Sequence, residues 1–199
     1  MKNLTELVII IDRSGSMSGL ERDVVGGFNS LIEEQKKEGQ TFVTTIFFNS
    51  ESSLIHDNVD INEIKPLENC NYQPSGCTAL LDAIGNAIAL VKARHAKLKE
   101  DELPGNTIFS IMTDGEENDS KEYSYKQIKD MIELQKKCGW SFIFQAANID
   151  TLHEAQKLGV DIDMASDFVA NSEGVKRCMS NCSISISNIR KTKLKTNKK

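Results

Sequence analysis

Leu7-Val8-Ile9-Ile10-Ile11-Asp12-Arg13-Ser14-Gly15-Ser16-Met17 decides how the rest of the chain is read. Five apolar residues, four of them β-branched, run without a break and then stop at an aspartate and two serines. An unbroken apolar run of this kind reads as a strand buried on both faces, the pattern of a parallel sheet covered by helices. The polar cluster then falls at the strand's carboxyl end, where open α/β sheets place their ligand sites. Asp12, Ser14 and Ser16 offer only oxygen donors in one tight loop. Such a set suits a hard cation such as Mg²⁺ and not zinc or copper.

Working outward, residues 19–37 read as a helix, with Val24, Phe28, Leu31 and Ile32 on one side. Gly26 and Gly27 interrupt it, which implies a close approach of this helix to the sheet. Residues 41–48 form a β-branched and aromatic strand, and a turn so short follows that the next strand, 53–56, must return antiparallel as a sheet edge. Residues 57–77 make a long connection with Pro66, Pro74 and Gly76. Loops of this length inside a compact domain are usually functional. It delivers Ser75-Gly76-Cys77-Thr78 to a helix whose buried face carries Leu80, Leu81, Ile84, Ala87, Ile88 and Val91.

A strand over 107–113 ends, like the first, in an aspartate, Asp114-Gly115. A helix over 121–137 with Ile128, Met131, Ile132 and Leu134 inward, a strand over 140–146 and a short helix over 152–158 follow. Residues 167–170 read as a weak last strand, and 173–189 as a helix. The order β-α-β-β-α-β-α-β-α-β-α, with right-handed crossovers, predicts an α/β fold. It is a doubly wound, mostly parallel six-stranded sheet with one antiparallel edge strand and helices on both faces. One domain spans residues 1–189, and 190–199 is expected to be a basic, disordered tail.

Charge is distributed unevenly. Residues 190–199 hold six of the 24 basic residues and no acid, so the rest carries 18 bases against 29 acids. An acidic body repels nucleic acid, leaving only the tail to attract it. The five cysteines, Cys70, Cys77, Cys138, Cys178 and Cys182, lack the density of a disulfide scaffold and fit reduced thiols. The apolar run bracketed by Glu6 and Asp12 is too short for a signal peptide, and no stretch reaches the length of a membrane span. A cytoplasmic location is expected. His56, His95 and His153 read as surface residues.

Three separated segments are thus expected on one rim: the Asp12–Ser16 loop, Thr78 and Asp114. Asp12-x-Ser14-x-Ser16, a distant Gly76-Cys77-Thr78, and Thr113-Asp114-Gly115 together resemble the metal-ion-dependent adhesion site of von Willebrand factor type A domains. The resemblance spans about residues 4–189, and all five motif positions are filled without substitution. The serines of the last helix (Ser180, Ser183, Ser185 and Ser187) also resemble stand-alone bacterial and phage members, including those associated with tellurium resistance.

The resemblance implies that Ser14 and Ser16 hold Mg²⁺ (or Mn²⁺) through their hydroxyls. Thr78 would do so directly or through water, while Asp12 and Asp114 hold coordinated waters and orient the serines. Neutral hydroxyls leave the cation's charge incompletely offset, so a carboxylate from a protein partner completes the site. The expected function is a metal-dependent protein–protein interaction module, not an enzyme. Two other readings stay open: a metal-dependent phosphohydrolase with Asp12 as nucleophile, and a metal-independent scaffold. Against the former, Ser14 stands where such enzymes carry a second aspartate. Glu116-Glu117-Asn118-Asp119 read as a solvated acidic loop, or as one that tunes metal affinity or repels or mimics an acidic partner. Asn148 could face a partner, and Asp150 reads as a helix cap.

Overall fold

A computed structural model of the chain describes residues 4–196, with side chains as far as Thr192. The eight residues of β1 (Thr5–Asp12) are all buried, as the unbroken apolar run requires. The strand lies centrally between β2 (Thr41–Phe48) and β4 (Asn106–Thr113), parallel to both. With β3 (Ser52–Asp60), β5 (Trp140–Ala146) and β6 (Ala165–Asp167), the sheet order is β3-β2-β1-β4-β5-β6. Only the β2–β3 pair is antiparallel, so the six-stranded, mostly parallel α/β sheet expected from the sequence is the one observed.

Alternate residues of β1 serve opposite faces, as the pleat demands. Leu7, Ile9 and Ile11 pack with α1 (Glu21–Lys36) and α5 (Ser172–Thr196). Val8 and Ile10 pack with α2 (Leu80–His95), α3 (Tyr125–Lys137) and α4 (Thr151–Leu158). The chain leaves β1 toward β2 on one side and reaches β4 on the other. The strand order therefore reverses between β1 and β4, and their carboxyl ends flank the resulting crevice. Among the described residues no helix is long and apolar enough to cross a membrane.

Several local expectations are corrected. The glycine pair of α1 does not serve the sheet: a Cβ at Gly27 would lie 2.7 Å from Met179 Cγ, so this glycine lets α1 close on α5, while Gly26 faces open space. The antiparallel edge strand extends to Asp60, beyond its apparent end at His56. Its polar residues ride a bulged register against β2, with Asn58 in the left-handed region at φ 52°. Leu134 is 52% exposed, and the last strand is three residues long and starts earlier than its sequence suggests.

The segment from residue 190 is not all tail. Helix α5 continues to Thr196, and Arg190 is buried with its guanidinium donating to Thr41 Oγ1 at 2.6 Å. Residues 197–199 of that segment lie outside the described residues. Two of the three histidines are half-buried. His56 stacks on Phe28 with ring centroids 6.1 Å apart, and burial lowers its pKa; His95 hydrogen-bonds Glu6 at 2.5 Å beneath Trp140.

Candidate metal centre

Asp12 is the last residue of β1 and follows Ile11, which is level with Met112 of β4; Asp114 directly follows β4. Two neighbouring parallel strands thus end in carboxylates on the same rim. Asp12 is fully buried and Asp114 is 2% exposed. Asp12 Oδ1 accepts the Ser14 amide at 2.7 Å, which turns the chain sharply out of the sheet, and Oδ2 accepts the Thr113 hydroxyl at 2.7 Å. The turn carries Ser14 and Ser16 round so that their hydroxyls lie 3.0 Å apart. Ser16 Oγ donates in turn to Asp114 Oδ1 at 2.6 Å.

Thr78 reaches the same place from the segment that leads into α2. Gly115 lies between them: a Cβ there would stand 3.8 Å from Thr78 Oγ1 and 3.9 Å from Ser16 Oγ. All five residues singled out from the sequence (Asp12, Ser14, Ser16, Thr78 and Asp114) therefore gather on one rim. Two backbone bonds tie the loop before Thr78 to the loop after β1, Gly15 N–H to the Gly76 carbonyl at 3.0 Å and Ser75 N–H to the Arg13 carbonyl at 2.9 Å.

The electrostatics are one-sided. Burial pushes the carboxyl of Asp12 above its ordinary pKa, partly offset by hydrogen bonds from Thr113 and Ser14. Asp114 is raised as well, first by burial and further by the charge of Asp12, with the Ser16 bond pulling the other way. Among the described residues, no lysine, arginine or histidine forms an ion pair with either carboxylate. Nor do three or more histidine, cysteine or acidic side chains cluster there as a metal cage. The donor set is three hydroxyls and two carboxyl groups. It fits a hard divalent cation, which would supply the missing positive charge, and does not fit a thiolate- or imidazole-seeking metal.

Residues outside the sequence motif complete the setting. Tyr72, fully buried in the long connection and set edge-on against Phe47, donates its hydroxyl to the Asp12 carbonyl. Asn148 Nδ2 donates to the Asp114 carbonyl at 3.1 Å, while Asp150 caps α4 through the His153 amide at 3.0 Å. The acidic stretch after Asp114 is more than a solvated loop: Glu117 and Asn118 bind backbone amides at the start of α2. A buried tyrosine in a proline-bounded loop was a visible signal for Tyr72; nothing in the sequence distinguishes Asn118 from its polar neighbours.

No family model and no curated protein matches the sequence. Solved structures do match in fold. The von Willebrand factor domain of the type V pilus tip protein Mfa5 from Porphyromonas gingivalis shares 10% identity at TM-score 0.64, covering 94% of this chain and 96% of that one. Manganese-loaded TRAP protein from Plasmodium vivax shares 15% identity at TM-score 0.59, covering 89% and 72%. Proximal thread matrix protein 1 from the mussel byssus, in a structure with its metal-ion-dependent adhesion motif occupied by zinc, shares 14% identity at TM-score 0.62, covering 92% and 46%. This chain spans about half the length of the mussel protein. The sheet order, the single antiparallel edge and the helical layers, matched against these structures, give this chain the fold of von Willebrand factor type A domains.

Proposed function

We propose that the chain is a protein-interaction module that holds Mg²⁺ or Mn²⁺ on this rim and uses it to bind an acidic residue of a partner protein. The observation that carries this reading is the pairing of two buried, uncompensated carboxylates with three converging hydroxyls. Ser14, Ser16 and Thr78 would offer hydroxyl oxygens to the cation, and Asp12 and Asp114 would orient those hydroxyls and hold coordinated water. When bound, the cation supplies positive charge that neutral hydroxyls offset only partly, leaving an attraction for a carboxylate from outside. The manganese-loaded TRAP protein and the pilus tip protein Mfa5 accord with such a role.

The same contacts favour binding over catalysis. Asp12 is fully buried with both oxygens engaged, by the Ser14 amide and the Thr113 hydroxyl, a poor disposition for a nucleophile that must reach a phosphorus atom. Calorimetric titration of Mg²⁺ and Mn²⁺ into metal-stripped protein, with excess acetate as a surrogate carboxylate, tests the proposal. Saturation near one equivalent is expected for the wild type, with marked weakening in Ser14→Ala and Thr78→Ala. A folded wild type that takes up neither cation, even with acetate, contradicts the metal mechanism.

A further inference from the structure

Helix α2 begins without a cap of its own. Its N-cap residue is Ala79, whose side chain can accept no bond from the amides of the first turn. The segment that follows Asp114 supplies the cap instead. Glu117 Oε2 accepts the Leu81 amide at 3.0 Å, and Ser120 Oγ accepts the Asp82 amide at 3.1 Å. The exchange is reciprocal: the Asp82 carboxylate accepts amides of Lys121, Glu122 and Tyr123 at 2.7–3.0 Å. Farther along, the ring of Tyr123 lies over Gly85, where a Cβ would come within 2.6 Å of it. Residues 116–123 therefore form a strap laid along the first turns of α2.

Asn118 sits where this strap meets the rim. Its side-chain Oδ1 accepts the Thr78 amide at 2.9 Å, and its own amide donates to the Thr78 carbonyl at 3.0 Å. Asn118, four positions beyond Asp114 in the chain, thus meets Thr78 on both sides of its Cα, and the Asp119 amide shares the Thr78 carbonyl at 3.3 Å. We infer that Asn118 is a positioning residue. It fixes the backbone of Thr78 so that the hydroxyl faces Ser16 and Asp114, and it links the two halves of the rim through the strap. The inference rests on the metal-binding reading proposed above. Glu117 acts in the same strap but elsewhere, as the cap of α2, and has no place in the cation's donor set.

The geometry separates this role from a general contribution to folding. Asn118 is exposed, so its truncation removes its side-chain bond to the Thr78 amide, leaves its backbone bond to the Thr78 carbonyl, and opens no cavity in the core. Asn118→Asp retains an oxygen able to accept the Thr78 amide; Asn118→Ala does not. The far end of the strap offers a control in Asn86→Ala, which removes the 3.3 Å bond from Asn86 to Glu122 without touching Thr78.

The test uses the full chain, with two measurements on wild type, Asn118→Ala, Asn118→Asp and Asn86→Ala. Amide exchange of metal-free protein, followed by NMR, is expected to show a protected Thr78 amide in all but Asn118→Ala, where exchange accelerates. Mn²⁺ titration is expected to show affinity about 10-fold weaker in Asn118→Ala, at an unchanged melting temperature, and near wild type in the other two. Equal Mn²⁺ affinity in wild type and Asn118→Ala overturns the inference and leaves the metal site standing. So does a loss of affinity that Asn86→Ala reproduces, since that would place the effect in the strap at large. Absence of Mn²⁺ binding by the wild type overturns the metal reading and this inference with it.

Discussion

Strand β1 carries a buried carboxylate near each end, and the two are treated in opposite ways. Glu6, at the amino end, is 3% exposed and is met by both Arg94 and His95 of α2, with Asp57 on the outer side of the guanidinium. Asp12, six residues on, is equally buried and is met only by amides and hydroxyls, with a second carboxylate, Asp114, on the same rim. A buried charge costs several kcal/mol unless it is paired. The amino-end cluster is self-sufficient and holds α2 to the sheet. The carboxyl-end cluster is short of positive charge, and that deficit at the topological switch point is what the proposed cation site rests on.

Breaking the self-sufficient end should have the largest effect. Arg94→Ala leaves Glu6 with His95 alone, and denaturant unfolding is expected to show a loss of about 3 kcal/mol. Mn²⁺ affinity should not change, because none of the five rim residues contacts Arg94. The matching change at the other end is gentler. Tyr72→Phe keeps the buried ring and removes only its bond to the Asp12 carbonyl, which should cost about 1 kcal/mol in unfolding experiments. It should also weaken Mn²⁺ binding several-fold by freeing the end of β1.

The pH dependence sharpens the same contrast with the smallest signal. Burial, and the charge of Asp12 beside it, hold the folded-state pKa of Asp114 above that of an ordinary aspartate. The folded protein therefore binds more protons than the unfolded chain over that window. Its contribution is fully present below the unfolded value and is lost as pH rises through the folded one. The stability difference between metal-free wild type and Asp114→Asn should consequently move in favour of the variant as pH climbs from about 4, measured by urea unfolding at each pH. Saturating Mn²⁺ should abolish that trend.

The rim was legible in the sequence because each of its five donors sits at a junction that hydrophobic patterning locates well. Asp12 ends an unbroken apolar run, Asp114 follows a largely apolar one, and Thr78 stands just before a strongly periodic helix. The mostly parallel sheet with its one antiparallel edge followed from those runs and from the short β2–β3 turn. What stayed hidden depends on contacts between distant segments. Glu6 looked like a flank of the first strand and His95 like a surface residue, and nothing singled out Arg94, because their pairing spans 88 and 89 positions. The strap along α2 was equally silent: a run of glutamates reads the same whether it is solvated or caps a helix elsewhere. The glycine pair predicted a close approach, but which element approaches is set by the packing of Met179 on Gly27. Arg190 was assigned to a tail by charge alone, although its guanidinium is anchored by Thr41, itself fully buried.

The most direct test of a charge deficit awaiting a cation is thermal unfolding of wild type and Asp114→Asn, each with and without Mn²⁺. Without metal, the variant should melt higher, because an uncompensated buried charge has been removed. With Mn²⁺ in large excess, the wild type should gain on the order of 2–3 kcal/mol, as for a ligand at about 100 times its dissociation constant, and melt higher than the variant. That inversion of order is the predicted result. A wild type that melts higher under both conditions, or that Mn²⁺ leaves unmoved, would contradict the account.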